Sequence, residues 1–353
     1  MLSRPMLRVV SESSADRHGD ERASIVVAVL TFRRPRQLAE CLQGCARVVS
    51  PPQSDVALLV IDNDAQGSGR ATVDAHRELF PALYYCSEPR TGIPVARNRA
   101  LHEALIRGAD ALCFIDDDEV PEPDWLVNLV GEWRQSSADL VGGPVGVAPV
   151  PLTATPWQRL LNASLADRSR RKYARTAQAA ASGGRYTIVT NNWLCDLRWL
   201  AASGQRFDER LLFTGGSDTD FFRAAIVAGC RCAWAPAAVV CEVIRPDRLT
   251  LRYQMWRGAS QSMAHFQMKH EGITPRVAVA TLAICLVRAM LAILLLAVPV
   301  FGIGSLVIGI RSLGWAAGRI QSLLGMRSQL YACAAAHPEE KGAPPSLERR
   351  LAA

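Results

Sequence analysis

No stretch of this chain matches GxGxxG or the P-loop pattern, so the sequence lacks the common signals of dinucleotide oxidoreductases and P-loop kinases. Its six histidines fall at no metal-ligand spacing such as HxxxH, and its ten cysteines form no CxxC pair, which leaves zinc chemistry without support. Aromatic residues make up only 7% of the chain, and no basic helix interleaved with aromatics argues for nucleic acid. Met1 to Arg22 is polar and mixed in charge, without the apolar core of a signal peptide. Cys113, Cys195 and Cys285 lie inside apolar runs, where free cysteine behaves as a small hydrophobe. The expectation is a reduced, cytosol-facing protein.

What is present is a 353-residue chain with 49% hydrophobic residues, enough for one large α/β domain plus an accessory segment. The net charge of +7 is unevenly placed. From Arg245 onward thirteen Lys and Arg face five Asp and Glu, a local +8, which leaves the first 244 residues at −1. That basic third also holds the most apolar stretch, so an anionic membrane surface is the expected partner and nucleic acid is not.

The most informative segment is Leu112-Cys-Phe-Ile115 followed by Asp116-Asp117-Asp118-Glu119. A short apolar run that turns abruptly polar fits a buried parallel strand, and it delivers three consecutive carboxylates to that strand's carboxyl end. In an open α/β sheet this edge is where ligands bind. Adjacent carboxylates repel one another unless a cation or a donor-rich ligand offsets them, and hard oxygen ligands favour Mg2+, Mn2+ or Ca2+. A metal-bridged nucleoside diphosphate is the natural ligand, with a solvated acidic turn as the plainer reading.

Similar strands are expected at Ser24 to Leu30, at Val56 to Ile61 ending in Asp62-Asn63-Asp64, and at Leu83 to Cys86. Helical spacing falls between them, at Gln37 to Cys45 behind Pro35, at Pro94 to Ile106 and at Pro123 to Arg134. Alternation of this kind implies a mostly parallel sheet with right-handed crossovers. Leu140 to Val150 reads as an irregular strand, Trp157 to Ala181 as intermediate helix, and Thr187 to Trp193 as a further strand. Ser217-Asp218-Thr219-Asp220 follows two glycines and opens a helix, with Ser217 or Asp218 near the N-cap. Arg248 to His270 is a basic amphipathic helix.

Ala289 to Ile310 is 22 residues without a charge, long enough to span a hydrocarbon core, and Arg288 divides it from the apolar Val277 to Val287. One spanning helix, a re-entrant hairpin kinked at Pro299 and the nearby glycines, and a buried helical pair are the three options. Arg311, Arg319 and Arg327 at eight-residue spacing suit an anionic leaflet. The expected organisation is a polar arm over 1–22, a catalytic domain over 23–245, a basic helical region over 246–276, membrane-associated helices over 277–333 and a polar tail over 334–353.

Read in order, these segments resemble the family 2 glycosyltransferases, over about residues 24 to 270. Thr31-Phe-Arg-Arg-Pro35 is similar to the family's opening Thr-Tyr-Asn-Arg-Pro turn, with Arg33 where Asn is common. Asp62 and Asn63 resemble its nucleotide-base contact, and Gly92 to Asn98 the segment along ribose and phosphates, which brings in Gly92, Arg97 and Asn98. Asp116-Asp117-Asp118 resembles the DXD site. Gly215-Gly216-Ser217-Asp218 resembles the Gly-Gly-Glu-Asp segment that supplies the catalytic base, with Ser217 in place of Glu. Arg257 stands where related enzymes set a cation over the departing phosphates.

The resemblance implies a GT-A fold, an α/β architecture with a mostly parallel sheet flanked by helices, here followed by a C-terminal apolar, membrane-associated helical segment. It implies Mg2+ or Mn2+ as cofactor, held by Asp118 with Asp116, and Asp117 or Asp116 on the ribose hydroxyls. Thr31, Arg33, Asp62, Asn63, Gly92, Arg97, Asn98 and Arg257 line the nucleotide sugar, and Asp218 is the general base of an inverting transfer. UDP is the preferred donor nucleotide, and the acceptor is a lipid-linked or cell-surface polysaccharide precursor at the cytoplasmic face of the cell membrane. A nucleotidyltransferase is disfavoured because Leu30 leads into Thr-Phe-Arg-Arg-Pro, not a glycine-rich loop, and a catalytically silent nucleotide-sugar-binding scaffold is what Ser217 permits.

Overall fold

The computed structural model describes residues 22–212, 216–270, 272–297 and 302–326. The apolar run after Arg22 becomes β1 (Ala23–Thr31), which pairs in parallel with β2 (Ser54–Asp62), Thr31 opposite Asp62. Between them α1 (Pro35–Cys45) starts with Pro35 in its first turn and buries Leu38, Cys41 and Leu42 against the sheet. Each buried leucine contributes about 1.5–3 kcal/mol of transfer free energy. After α2 (Arg70–Ala75), β3 (Leu83–Ser87) pairs with β2, and α3 (Ile93–Ile106) crosses over to β4 (Ala111–Asp116) on the other side of β1. Leu30 faces Asp116 across that pairing, so Thr31, Asp62 and the acidic triplet share one sheet edge.

The chain then makes β5 (Glu119–Pro121), α4 (Trp125–Ser136), β6 (Leu140–Gly142), β7 (Val145–Val147) and α5 (Pro156–Ala181). The expected irregular strand over 140–150 is two short strands in different sheets. Helix α5 runs its full 26 residues from a capping box, in which Thr155 Oγ1 accepts from the Gln158 N–H and Gln158 Oε1 accepts from the Thr155 N–H. Next come β8 (Asn192–Asp196), α6 (Leu197–Ser203), α7 (Ser217–Val227), β9 (Cys232–Trp234) and β10 (Val240–Glu242). The seven-stranded sheet has the order β3-β2-β1-β4-β8-β6-β9, and β8 alone runs against its neighbours. Strands β5, β10 and β7 form a second, small sheet.

Strand β8 begins at Asn192, five residues later than the apolar pattern from Thr187 suggests. The reason is local. Asn192 spends its side chain on three partners, accepting from Trp125 Nε1 at 2.8 Å and donating to the Pro144 and Ala238 carbonyls, which pins the strand's start beneath the second sheet. Both faces of the main sheet are packed, one by α1 and α4, the other by α3, α6 and α7, with Trp125, Trp133 and Trp193 fully buried.

Among the described residues, three helices follow: α8 (Leu251–Lys269), α9 (Pro275–Ala297) and α10 (Gly302–Leu323). This corrects the expected division of the apolar stretch. Helix α9 passes straight through Arg288, whose guanidinium lies 4.4 Å from the Trp315 ring centre on α10, so the charge has a partner and does not end the helix. Pro299 and Arg327 lie outside the described residues. Pro275–Leu296 is the one helix, among the described residues, long and apolar enough to cross a membrane. Its flanks expose Val279, Leu282, Leu286, Met290 and Leu294, an uncovered apolar surface that calls for lipid or another partner.

Helix α10 touches α8 nearly backbone to backbone. A Cβ on Gly314 would run into the Met255 carbonyl, and one on Gly318 into the Ala259 carbonyl. Gly318→Leu is therefore expected to force the helices apart at a cost of about 1–3 kcal/mol. Thermal unfolding would register this as a melting temperature lower by several degrees, and an unchanged value would mean that the seam has slack.

Candidate active site

Thr31 ends β1 with its hydroxyl donating to Asp117 Oδ2 at 2.8 Å. Arg33 takes the left-handed conformation, φ 53°, so it and Arg34 diverge. Arg33 pairs with Asp64 at 3.2 Å, whereas Arg34 reaches the triplet, 3.0 Å from Asp117 and 3.5 Å from Asp118. Sequence reading singled out Arg33 and passed over Arg34. It also passed over Arg248, just ahead of α8, whose Nη1 lies 3.3 Å from the same Asp118 oxygen.

Asp117 is buried and Asp116 partly so. Burial pushes the Asp116 carboxyl up to about 7, helped by Asp118 and Asp117 and opposed by Arg97 and Arg34. Burial likewise raises Asp117 to about 6, against the pull of Arg34 and the Thr31 hydroxyl. Glu119, beneath them, is raised by burial and by Asp116, and its oxygens accept from the Asp116 N–H and the Asn191 amide. Asp117, in turn, holds the Arg34 guanidinium firmly protonated. Burial thus holds Asp116 and Asp117 toward their neutral forms, while Arg34, Arg97 and Arg248 supply the nearby positive charge.

Among the described residues no three His, Cys, Asp or Glu side chains are arranged as a complete metal cage. Mg2+ typically takes only one or two protein carboxylates and completes its shell with water and phosphate oxygens. Asp116 and Asp118 are the part-buried carboxylates of the triplet, and Asp118 lies between Arg34 and Arg248.

The neighbouring edge is built by side chains that hold loops. Asp62, fully buried, accepts from the Asp64 and Gly69 N–H groups and the Tyr85 hydroxyl. Asn63 donates to the Glu88 and Arg90 carbonyls and accepts from the Gly92 N–H at 2.7 Å, setting the start of α3. Asn98 clasps the segment before α7, accepting from Phe207 N–H and donating to the Phe207 carbonyl and Glu209.

Arg97 joins the two acidic regions. Its Nη1 donates to Ser217 Oγ at 2.9 Å, its guanidinium lies 5.3 Å from the Phe207 ring centre, and its charge is felt by Asp116. Where the Gly-Gly-Glu-Asp pattern has an acid, this chain has a serine hydroxyl meeting an arginine. Gly216, not Ser217 or Asp218, is the N-cap of α7. Its φ of 91° and the Met268 sulfur pressed against it exclude a side chain. Asp218 therefore sits in the first helical turn, where the dipole favours an acid. Lys172 of α5 lies near enough for Asp218 to oppose the lowering of its pKa by burial and by Arg168. Arg257 of α8 donates to the Tyr253 hydroxyl at 3.3 Å and adds to the field at Arg168 and Arg311.

The mostly parallel sheet thus carries carboxylates at its carboxyl edge, and α7 carries a second acid in its first turn. Comparison with known proteins narrows this. Residues 26–196 match the model of glycosyl transferase family 2. The chain is 34% identical over 255 residues to the succinoglycan biosynthesis protein ExoM of Rhizobium meliloti (strain 1021), covering 71% of this chain and 77% of that one. It is 26% identical over 125 residues to a glucosyl-dolichyl phosphate glucuronosyltransferase of Haloferax volcanii, covering 35% and 38%. A mannosyltransferase from Pyrobaculum calidifontis, solved with GDP-Man and Mn2+, superposes with a TM-score of 0.49 at 15% identity over 94% of this chain and 79% of that one. The chain belongs to glycosyltransferase family 2.

Proposed function

We propose that this enzyme transfers a sugar, with inversion, from a nucleoside diphosphate sugar to a lipid-linked or polysaccharide precursor at the cytoplasmic face of the cell membrane. The observation that carries the reading is the pair of acidic regions, Asp116 to Asp118 and Asp218, joined through Arg97. In such a transfer negative charge grows on the leaving diphosphate while a separate base takes the acceptor proton. Asp118 with Asp116 would hold Mg2+ or Mn2+, which would supply counter-charge to that diphosphate. Asp117 or Asp116 meets the ribose. Thr31, Arg33, Asp62, Asn63, Gly92 and Asn98 shape the nucleotide pocket, Arg97 orients Ser217 and the α7 turn, and Arg257 faces the leaving phosphates. Asp218 accepts the acceptor's proton on the face opposite the leaving group.

UDP sugars are the first donors to test, and the exposed apolar flanks of α9 support membrane association. The protein in detergent would be given UDP, GDP and CDP sugars, with Mn2+ and with chelator. Metal-dependent binding and slow hydrolysis of one donor class is the expected result. Absence of binding by any nucleotide sugar in well-folded protein would sink the reading.

A further inference from the structure

Arg168, Arg171, Lys172 and Arg175 occur at helical spacings that put them along one side of α5. That side lines a half-open cavity of about 750 Å³, flanked by α8, α9 and α10, which add Arg288 and Arg311. Six cations and His265 line it, and among the described residues no Asp or Glu does. Counter-charge is scarce. Arg171 pairs with Asp167 on its own helix at 2.8 Å. Arg311 donates to the neutral Gln254 and Gln261, and Arg288 rests on the Trp315 ring.

The titration behaviour agrees with this geometry. Burial, then Arg288 and Arg257, lowers Arg168; burial, then Arg168 and Arg257, pulls Arg311 down to about 9. Cations crowded into a concave site focus a positive potential that an anion relieves. The volume exceeds what one small ion needs and falls in the range of organic ligand sites. Val307, Ile308 and Trp315 supply an apolar part of the wall, and α9 exposes Leu286, Val287 and Met290 on either side of Arg288. An anion that meets both surfaces is amphiphilic. Lys172 links the cavity to Asp218.

We infer that this cavity binds the diphosphate head of the acceptor lipid, with the hydrocarbon chain against α9 and the acceptor sugar extended toward Asp218. The assignment of the ligand as acceptor rests on the proposed glycosyl transfer; the anion site itself does not. Dense positive charge favours a diphosphate over the single charge of an ordinary phosphodiester lipid.

The test uses the full chain and phosphatidylcholine vesicles carrying either a long-chain alkyl diphosphate or phosphatidylglycerol at matched surface charge. The wild type is expected to prefer the diphosphate vesicles. Arg168→Ala combined with Arg175→Ala, both on the exposed side of α5, should weaken that binding at least about tenfold while nucleotide-sugar binding and melting temperature stay unchanged. Equal loss on both vesicle types would reduce the site to a generic basic surface and overturn the proposal. So would loss of nucleotide affinity in the variant, which would give the cations to the donor, or inorganic pyrophosphate binding as tightly as the lipid. Diphosphate-vesicle binding without any nucleotide-sugar binding would sink the transfer reading and leave the anion site standing. Nucleotide-sugar binding without preference between vesicles would do the reverse.

Discussion

Asp218→Asn is expected to lower the turnover number by about 10²–10⁴-fold, the usual contribution of a positioned general base, while leaving donor affinity unchanged. The substitution keeps size and shape and removes only the capacity to take a proton. Helix α7 should survive it, because its N-cap is Gly216 and Asp218 lies inside the first turn. The favourable interaction of the acid with the helix dipole, about 0.3–1 kcal/mol, is lost, together with its attraction to Lys172. Steady-state transfer kinetics beside donor binding would separate the two effects. Near-normal turnover in the variant would move the base elsewhere, and a parallel fall in donor affinity would mean that Asp218 binds and does not catalyse.

The second large effect is expected on donor binding. Asp118→Asn should weaken metal-dependent nucleotide-sugar binding by at least about tenfold, and the residual binding should no longer respond to chelator. Asp118 is positioned by Arg34 and Arg248 at 3.5 and 3.3 Å, so an amide in its place keeps an acceptor oxygen for them but loses the charge a divalent cation requires. Arg34 retains Asp117, which limits damage to the fold. Calorimetric titration with Mn2+ and donor together reads the change. Undiminished, chelator-sensitive binding would shift the metal to Asp116 with other partners.

Much of the sheet is legible from apolar runs alone, because β1, β2 and β4 are buried on both faces and need unbroken hydrophobic residues. The start of β8 is not, since it depends on three partners of Asn192 from distant segments. The acidic triplet announces itself, but the choice between Arg33 and Arg34 turns on one left-handed residue. Lys172 and the cations beside it look like the solvated face of a helix. Only the packing of α5 against α10 turns that face into a wall. Likewise the uncharged run from Ala289 hides a helix that begins at Pro275, because the cost of Arg288 is offset by a ring 27 residues further on.

The bare seam between α8 and α10 also bears on how this chain can be recombined with its relatives. Gly314 and Gly318 fit only the backbone of α8, and Gly258 on α8 fits only the backbone at Arg311, so each helix is a mould of the other. A hybrid cut between them would join halves that were never matched, whereas a cut ahead of Leu251 carries the mould and its cast together. Inherited as a unit, α8 belongs with the tail it grips as much as with the sheet it follows.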